Sequence, residues 1–66
     1  MRLRIDREND ALYLRLDEAT VAESEEVQPG ILLDYDEQGR VIGIEILDLS
    51  TRAAPETLGV VQVETL

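Results

Sequence analysis

The chain has 66 residues, with 15 acidic and six basic side chains, a formal charge of −9 and no cysteine, histidine or lysine. Nucleic acids and anionic membranes attract proteins through Lys and Arg, so this charge excludes both as expected partners. A basic protein or a cation is compatible with it.

The length predicts one small domain over residues 1–66. A chain of this size buries only about 60% of its unfolded surface, and without cysteine no disulfide or zinc–thiolate site can supplement the core. Self-association is the remaining common device, so we expect a homodimer. Residues 1–6 lack the apolar run of a signal peptide, and no stretch approaches the roughly 20 apolar residues of a membrane span. The expected location is therefore cytoplasmic.

The first half of the chain alternates apolar and polar residues, which is typical of half-buried strands. Leu3 and Ile5 define a first strand, and Leu12, Leu14 and Leu16 define a second. The turn-forming residues 6–10 between them predict a hairpin. Residues 21–27 are rich in glutamate and are interpreted as an edge strand that ends at Pro29–Gly30.

Residues 31–36 and 40–48 predict a second hairpin. The first of these strands is apolar on both faces where it begins, so it should lie inside the sheet. Gly39 is expected to take a positive φ in the turn. Gly43, inside a strand, indicates a bulge or the close approach of another part of the chain.

After Asp48 the pattern changes. Ser50 is expected to cap a short helix over 51–54, and Pro55 to begin a second helical turn that Gly59 ends. Residues 60–64 are β-prone, and could add a strand, exchange with a neighbouring subunit or stay loose. The predicted fold is mostly β (α+β), a small antiparallel meander of four or five strands with a short C-terminal helix. One sheet face needs a cover that the helix alone does not supply, and it contains Leu12, Leu14, Ile42, Ile44 and Ile46.

One motif resembles a calcium loop. Asp34, Asp36, Gln38 and Glu45 occupy positions 1, 3, 5 and 12, with Gly39 at position 6. However, an EF-hand needs helical flanks, and the flanks here are predicted strands. The favoured interpretation is an acidic hairpin turn in which Asp36 accepts backbone hydrogen bonds. No metal or cofactor is therefore predicted, although cation binding stays open as an alternative.

The residues for common catalytic chemistry are missing. Without histidine or cysteine there is no general base for Ser24 or Ser50 and no thiol nucleophile. Carboxylate pairs exist, but a sheet of this size offers little room for a pocket. We therefore expect no enzyme activity. The expected interaction surface is a contact patch that comprises Tyr13, Tyr35, Glu23 and Glu25; the plainer alternative for both tyrosines is a place in the core or at its rim.

Two blocks of sequence resemble a widespread prokaryotic family of short domains of unknown function. They are D-A-L-Y at residues 10–13 and D-Y-D-x-x-G-x-x-x-G-I-E-I-L at residues 34–47. The resemblance covers about residues 1–52 and leaves 53–66 as a variable tail. It implies a small antiparallel sheet with a short terminal helix and no catalytic residues. Some relatives are encoded beside small toxin-like nucleases, which implies an antitoxin-like role.

Taken together, these observations predict a non-enzymatic protein-interaction module, with antitoxin-like binding of a basic partner as its specific form. The alternative is a structural, oligomeric or cation-binding domain.

Overall fold

A single five-stranded antiparallel sheet forms the protein, and the computed structural model describes all of residues 1–66. The strands are β1 (Arg2–Asp6), β2 (Ala11–Arg15), β3 (Glu23–Gln28), β4 (Ile31–Tyr35) and β5 (Val41–Ile46). A 3₁₀ turn (Leu49–Thr51) and the short helix α1 (Pro55–Leu58) follow. The predicted fold class is confirmed, and neither helical segment has the length or apolar character needed to cross a membrane.

The strand order is β1-β2-β5-β4-β3. A hairpin (β1–β2) and a three-stranded meander (β3–β4–β5) are joined by pairing of β2 with β5. β5 is therefore the central strand, and β4 lies inside the sheet as its apolar start predicts. β3 is exposed along its whole length at one edge, also as predicted.

The register places most aliphatic side chains on one face of the sheet. Leu14 lies opposite Ile44, and Ile44 lies opposite Leu33; Leu12 lies opposite Ile46 in the same way. Because side chains alternate between the two faces, the residues of these rows share one side. We call it the apolar face; its residues are Leu3, Ile5, Leu12, Leu14, Ile31, Leu33, Ile44 and Ile46.

Little of this face is covered. Only four residues in the chain are buried, and the hydrophobic ones are Ile42 and Leu49. Every residue of the apolar face is half-buried except Leu3, which is 42% exposed. Four of the five residues predicted for the aliphatic face belong to it and are half-buried, whereas the fifth, Ile42, has no Cα partner in β4 and is buried. Most of the face therefore lacks a covering layer in a single chain.

The turns follow the local sequence rules. Gly39 has φ +79°, as predicted, and a Cβ there would meet no atom within 4 Å. Asp36 is buried, and its Oδ1 accepts the backbone N–H groups of Gln38 and Arg40 at 2.9 Å. Its Oδ2 accepts from Arg40 Nε at 2.8 Å. The acidic hairpin turn predicted around Asp36 is thus confirmed.

The segment after β5 differs from the sequence prediction. Asp48 precedes the 3₁₀ turn in a left-handed conformation (φ 52°), and Ser50 lies inside the turn instead of capping a helix over 51–54. The physical reason is a competing acceptor: Ser50 N and Oγ donate to the carboxylate of Asp10 at 2.9 and 2.7 Å. α1 does begin at Pro55 and end before Gly59, as predicted.

Two hairpin turns hold this segment across one end of the sheet. Asp10, in the β1–β2 turn, binds Ser50, and Arg52 Nη2 donates to the carbonyl of Pro29 in the β3–β4 turn at 3.0 Å. Leu49 is buried within the segment that these two contacts hold. Residues 60–66 lie beyond it and form no strand.

Candidate interaction surfaces

A chain of hydrogen bonds crosses the face opposite the apolar face. Ser24 Oγ and Tyr13 Oη each donate to the carboxylate of Asp34 at 2.6 Å, and Arg15 Nη1 donates to Tyr13 Oη at 3.1 Å. We call these four residues the polar network. They come from β3, β4 and β2, so the network connects strands on both sides of β5.

Gly43 forms the floor of this network. A Cβ at Gly43 would lie 2.9 Å from Asp34 Oδ2 and 3.1 Å from Tyr13 Cζ, and nearer still to the Tyr13 hydroxyl. The register also shifts between Asp34 and Tyr35, which marks an irregularity in the pairing with β5. Both features predicted from a glycine inside a strand are therefore present, and the approaching group is a tyrosine side chain.

The network keeps Asp34 ionised. The hydrogen bonds from Ser24 and then Tyr13 lower the pKa of Asp34. Burial, followed by the hydrogen bond to Asp34, raises the pKa of Tyr13. A carboxylate with a lowered pKa is a poor general acid near neutral pH, and a tyrosine with a raised pKa is a poor source of phenolate. The arrangement is suited to joining strands.

The two aspartates of the calcium-like motif, Asp34 and Asp36, use their carboxylates in hydrogen bonds within the protein. Both carboxylate oxygens of Asp36 accept hydrogen bonds from its own turn, and both oxygens of Asp34 belong to the polar network. The hydrogen bond from the backbone N–H of Arg40 is the main cause that lowers the pKa of Asp36. No group of three or more acidic side chains is arranged to hold a metal ion.

The four residues predicted as an interaction surface do not share one face. Glu23 lies opposite Tyr35 and Glu25 lies opposite Leu33, so these three side chains border the apolar face at its β3 edge. The Tyr35 hydroxyl is 3.5 Å from Glu25 Oε1, and burial, followed by this carboxylate, raises the pKa of Tyr35. Tyr13 belongs to the polar network on the other side. The two tyrosines therefore lie on opposite faces of the sheet, and binding by these four residues stays a prediction.

We call Glu23, Glu25, Tyr35 and Glu37 the acidic patch. These residues line one shallow depression, together with Ala22, Asp36 and Gly39. The patch adjoins the apolar face, so an aliphatic surface and a negative rim occur side by side. That combination can receive a protein surface with an apolar centre and basic margins.

Neither the polar network nor the contact between Asp10 and Ser50 was predicted from the sequence. Tyr13 and Asp34 are 21 positions apart and Asp10 and Ser50 are 40 apart, and no local pattern connects such pairs. Gly43 was the one available signal, because it indicated that something approaches β5 closely.

The motifs behind the family resemblance now have structural roles. Asp10 fastens the 3₁₀ turn, Tyr13 and Asp34 join strands, Gly39 forms the turn and Gly43 admits the tyrosine. Neither the curated proteins nor the solved structures contain a match to the chain. A family model described as a protein of unknown function, DUF2283, matches residues 2–50, which is most of the sequence, and the chain therefore belongs to this family.

Proposed function

We propose that the domain is a non-enzymatic, cytoplasmic protein-interaction module that works as a homodimer and binds a basic protein partner in an antitoxin-like manner. The observation that carries the proposal is the apolar face: eight aliphatic residues on one side of the sheet, all of them half-buried or exposed in a single chain.

The size of this face supports self-association. The four strands that contribute aliphatic residues lie about 4.8 Å apart and are five to six residues long, which gives a surface on the order of 19 by 18 Å. Monomeric proteins rarely expose contiguous apolar patches above a few hundred Å². Packing two such faces against each other makes a two-layer sheet structure, which is a common way to bury aliphatic sheet surfaces.

The charge of −9 supports a basic partner as the second binding event. The acidic patch lies at the β3 edge, beside the apolar face, and β3 is exposed along its whole length. Negative charge concentrated in this way speeds the encounter with a positively charged protein and favours it over acidic competitors.

A pair of neighbouring leucines tests the dimer. Leu33 lies on the apolar face and Leu32 on the opposite face of the same strand, and both are half-buried. Leu33→Glu should weaken self-association by at least about tenfold, because it places a charge in an apolar contact. Leu32→Glu should leave association within about threefold of the parent value. Sedimentation equilibrium measures both, and equal effects of the two variants would contradict the proposal.

The partner is tested separately. A basic protein encoded beside this chain should bind it, and added salt should weaken the complex. The double variant Glu23→Gln/Glu25→Gln should bind that protein less tightly, whereas Glu56→Gln on α1 should not. Equal binding by both variants, measured by calorimetry, would show that the acidic patch is not the contact.

A further inference from the structure

The C-terminal tail, residues 60–66, is apolar and unpacked. Val60, Val61, Val63 and Leu66 are 53–113% exposed, and residues 61–66 make no backbone hydrogen bond. Its side chains nevertheless alternate as in a strand: Gln62 Nε2 donates to Glu64 Oε1 at 2.8 Å, so these two lie on one side of an extended segment. This contact between side chains two positions apart fits an extended segment, and the backbone groups of residues 61–66 have no backbone partner within the chain.

The two edges of the sheet differ as acceptors for such a strand. β1 pairs with β2 through five consecutive residues without a register shift, and its outer edge carries Arg2 and Arg4. β3 has a register shift between Glu26 and Gln28 and carries three glutamates. Bulges and repelling charges protect an edge from added strands, so β3 is protected against an acidic segment and β1 is open.

The side chains of the tail are complementary to those of β1 on both faces of the sheet. Along an extended tail, Val61 and Val63 share the side opposite Gln62 and Glu64. With the valines beside Leu3 and Ile5, the apolar face is widened by one strand. In the antiparallel register that pairs Val63 with Leu3 and Val61 with Ile5, Gln62 lies opposite Arg4 and Glu64 lies opposite Arg2. Arg4 is then the diagonal neighbour of Glu64 on the same side, within reach of its long side chain.

Arg4 is a free cation for this contact. It forms no ion pair in the structure, whereas Arg2 Nη2 is 3.5 Å from Glu18 Oε1. The contact is thus locally attractive although the whole chain is acidic.

Position and length also agree. A Cβ built on Gly59 would lie 3.4 Å from Nη2 of Arg7, the residue that follows β1, so the tail begins within reach of a side chain from the β1–β2 turn. Its seven residues reach about 23 Å when extended, and the five residues of β1 span about 17 Å. The tail lies beyond residues 2–50, the part that the family model matches.

We propose that the tail of one copy adds as an antiparallel sixth strand to the β1 edge of a second copy, and that the exchange is reciprocal. This inference rests on the proposed homodimer. A single chain leaves both the tail and the β1 edge unpaired, while two copies related by a two-fold axis satisfy both edges and both tails together.

Disulfide trapping tests the exchange directly, because the chain has no cysteine of its own. Arg4→Cys protein is mixed with Glu64→Cys protein and, separately, with Gln62→Cys protein. Directly opposed residues of antiparallel strands have the Cα separation that a disulfide needs. We expect a disulfide-linked heterodimer in at least one mixture. The control mixture joins Gln38→Cys, in the distant β4–β5 turn, with Glu64→Cys and should stay unlinked.

Three results separate the possibilities. A dimer in sedimentation without a disulfide in either mixture would overturn the exchange and leave the apolar-face dimer standing. An intrachain disulfide in the Arg4→Cys/Glu64→Cys double variant, with none in the mixtures, would place the tail on its own chain and also overturn it. A disulfide in the mixtures together with undiminished dimerisation of Leu33→Glu would support the exchange and refute the apolar-face dimer.

A charge swap provides a second test in solution. Arg4→Glu and Glu64→Arg should each weaken dimerisation by about tenfold, because a reciprocal exchange contains the contact twice. The double variant Arg4→Glu/Glu64→Arg should recover most of the loss. Additive weakening in the double variant would show that the two side chains do not meet.

Discussion

Replacing Gly43 with alanine tests the central packing of the sheet. The new Cβ would lie 2.9 Å from Asp34 Oδ2 and 3.1 Å from Tyr13 Cζ, and closer to the tyrosine hydroxyl. The contacts with the Tyr13 hydroxyl and with Asp34 Oδ2 are both closer than Cβ atoms tolerate, and the hydroxyl is the nearer of the two, so Tyr13 must move away. Its hydrogen bond to Asp34, 2.6 Å long in the parent protein, is then lost.

Two contributions set the magnitude. Forcing a methyl group into a packed site costs about 1–3 kcal/mol. A lost hydrogen bond to a charged group costs about 1.5–3 kcal/mol, and solvent reduces this because Asp34 is partly exposed. We expect a loss of about 2–4 kcal/mol from a total stability of roughly 3–10 kcal/mol. For a chain of this size that lowers the Tm by at least about 10 °C, which circular dichroism can follow.

A double-mutant cycle identifies the cause. Tyr13→Phe removes the hydroxyl that crowds position 43, so Gly43→Ala should cost at least about 1 kcal/mol less in that background. Gly59→Ala is the matched control, since its Cβ would have ordinary contacts at 3.4 Å or more. If Gly43→Ala costs the same with and without the hydroxyl, or no more than Gly59→Ala, the explanation is refuted.

Three further outcomes follow from the turns and the apolar face. Gly39→Ala should cost about 1–2 kcal/mol from backbone strain alone, because φ is +79° and the Cβ would meet nothing within 4 Å; a melting temperature equal to that of the parent would contradict this. Hydrogen bonds lower the pKa of Asp36, so its stabilisation is complete above the ordinary carboxyl value of 3.8 and is lost as pH falls through the lowered one. The fall in Tm between pH 5 and pH 2 should therefore be smaller in Asp36→Asn than in the parent protein. It should be the same as in the parent in Glu37→Gln, which changes an exposed neighbour in the same turn. Ile44→Asp, in the middle of the apolar face, should abolish dimerisation and lower the Tm; sedimentation equilibrium with a melting curve checks both, and an unchanged dimer would refute the placement of the interface.

Local patterns sufficed for the elements of the fold. The strands were predictable because alternation of apolar and polar residues is a property of neighbouring positions. The β4–β5 turn was predictable because glycine, present at position 39, adopts a positive φ at little energetic cost. The position of β2 beside β5 was not predictable in this way. It depends on pairing between segments about 30 residues apart, for which one sequence contains no local signal.

The errors have similar physical causes. Ser50 has the composition of a helix cap, but a carboxylate 40 positions away binds it. Alternation places Tyr35 on the same side of its strand as Leu33. Which face of the sheet that side belongs to could not be decided from the sequence, because the strand is apolar on both sides, and the register with β3 and β5 decides it. Non-local contacts therefore decide which residues share a surface, even where the strands themselves are correctly predicted.

The polar residues of the two family-like blocks have structural roles, which limits the places where a partner could bind. The residues of the two family-like blocks form turns, strand-joining hydrogen bonds and the floor beneath Tyr13, and these roles occupy their polar groups. The glutamates of β3 and the tail beyond residue 59 lie outside the blocks and are exposed in a single chain, whereas the blocks contribute Leu12, Ile44 and Ile46 to the apolar face. In the proposed complex the basic partner therefore contacts residues outside the blocks, and the dimer contact includes residues within them.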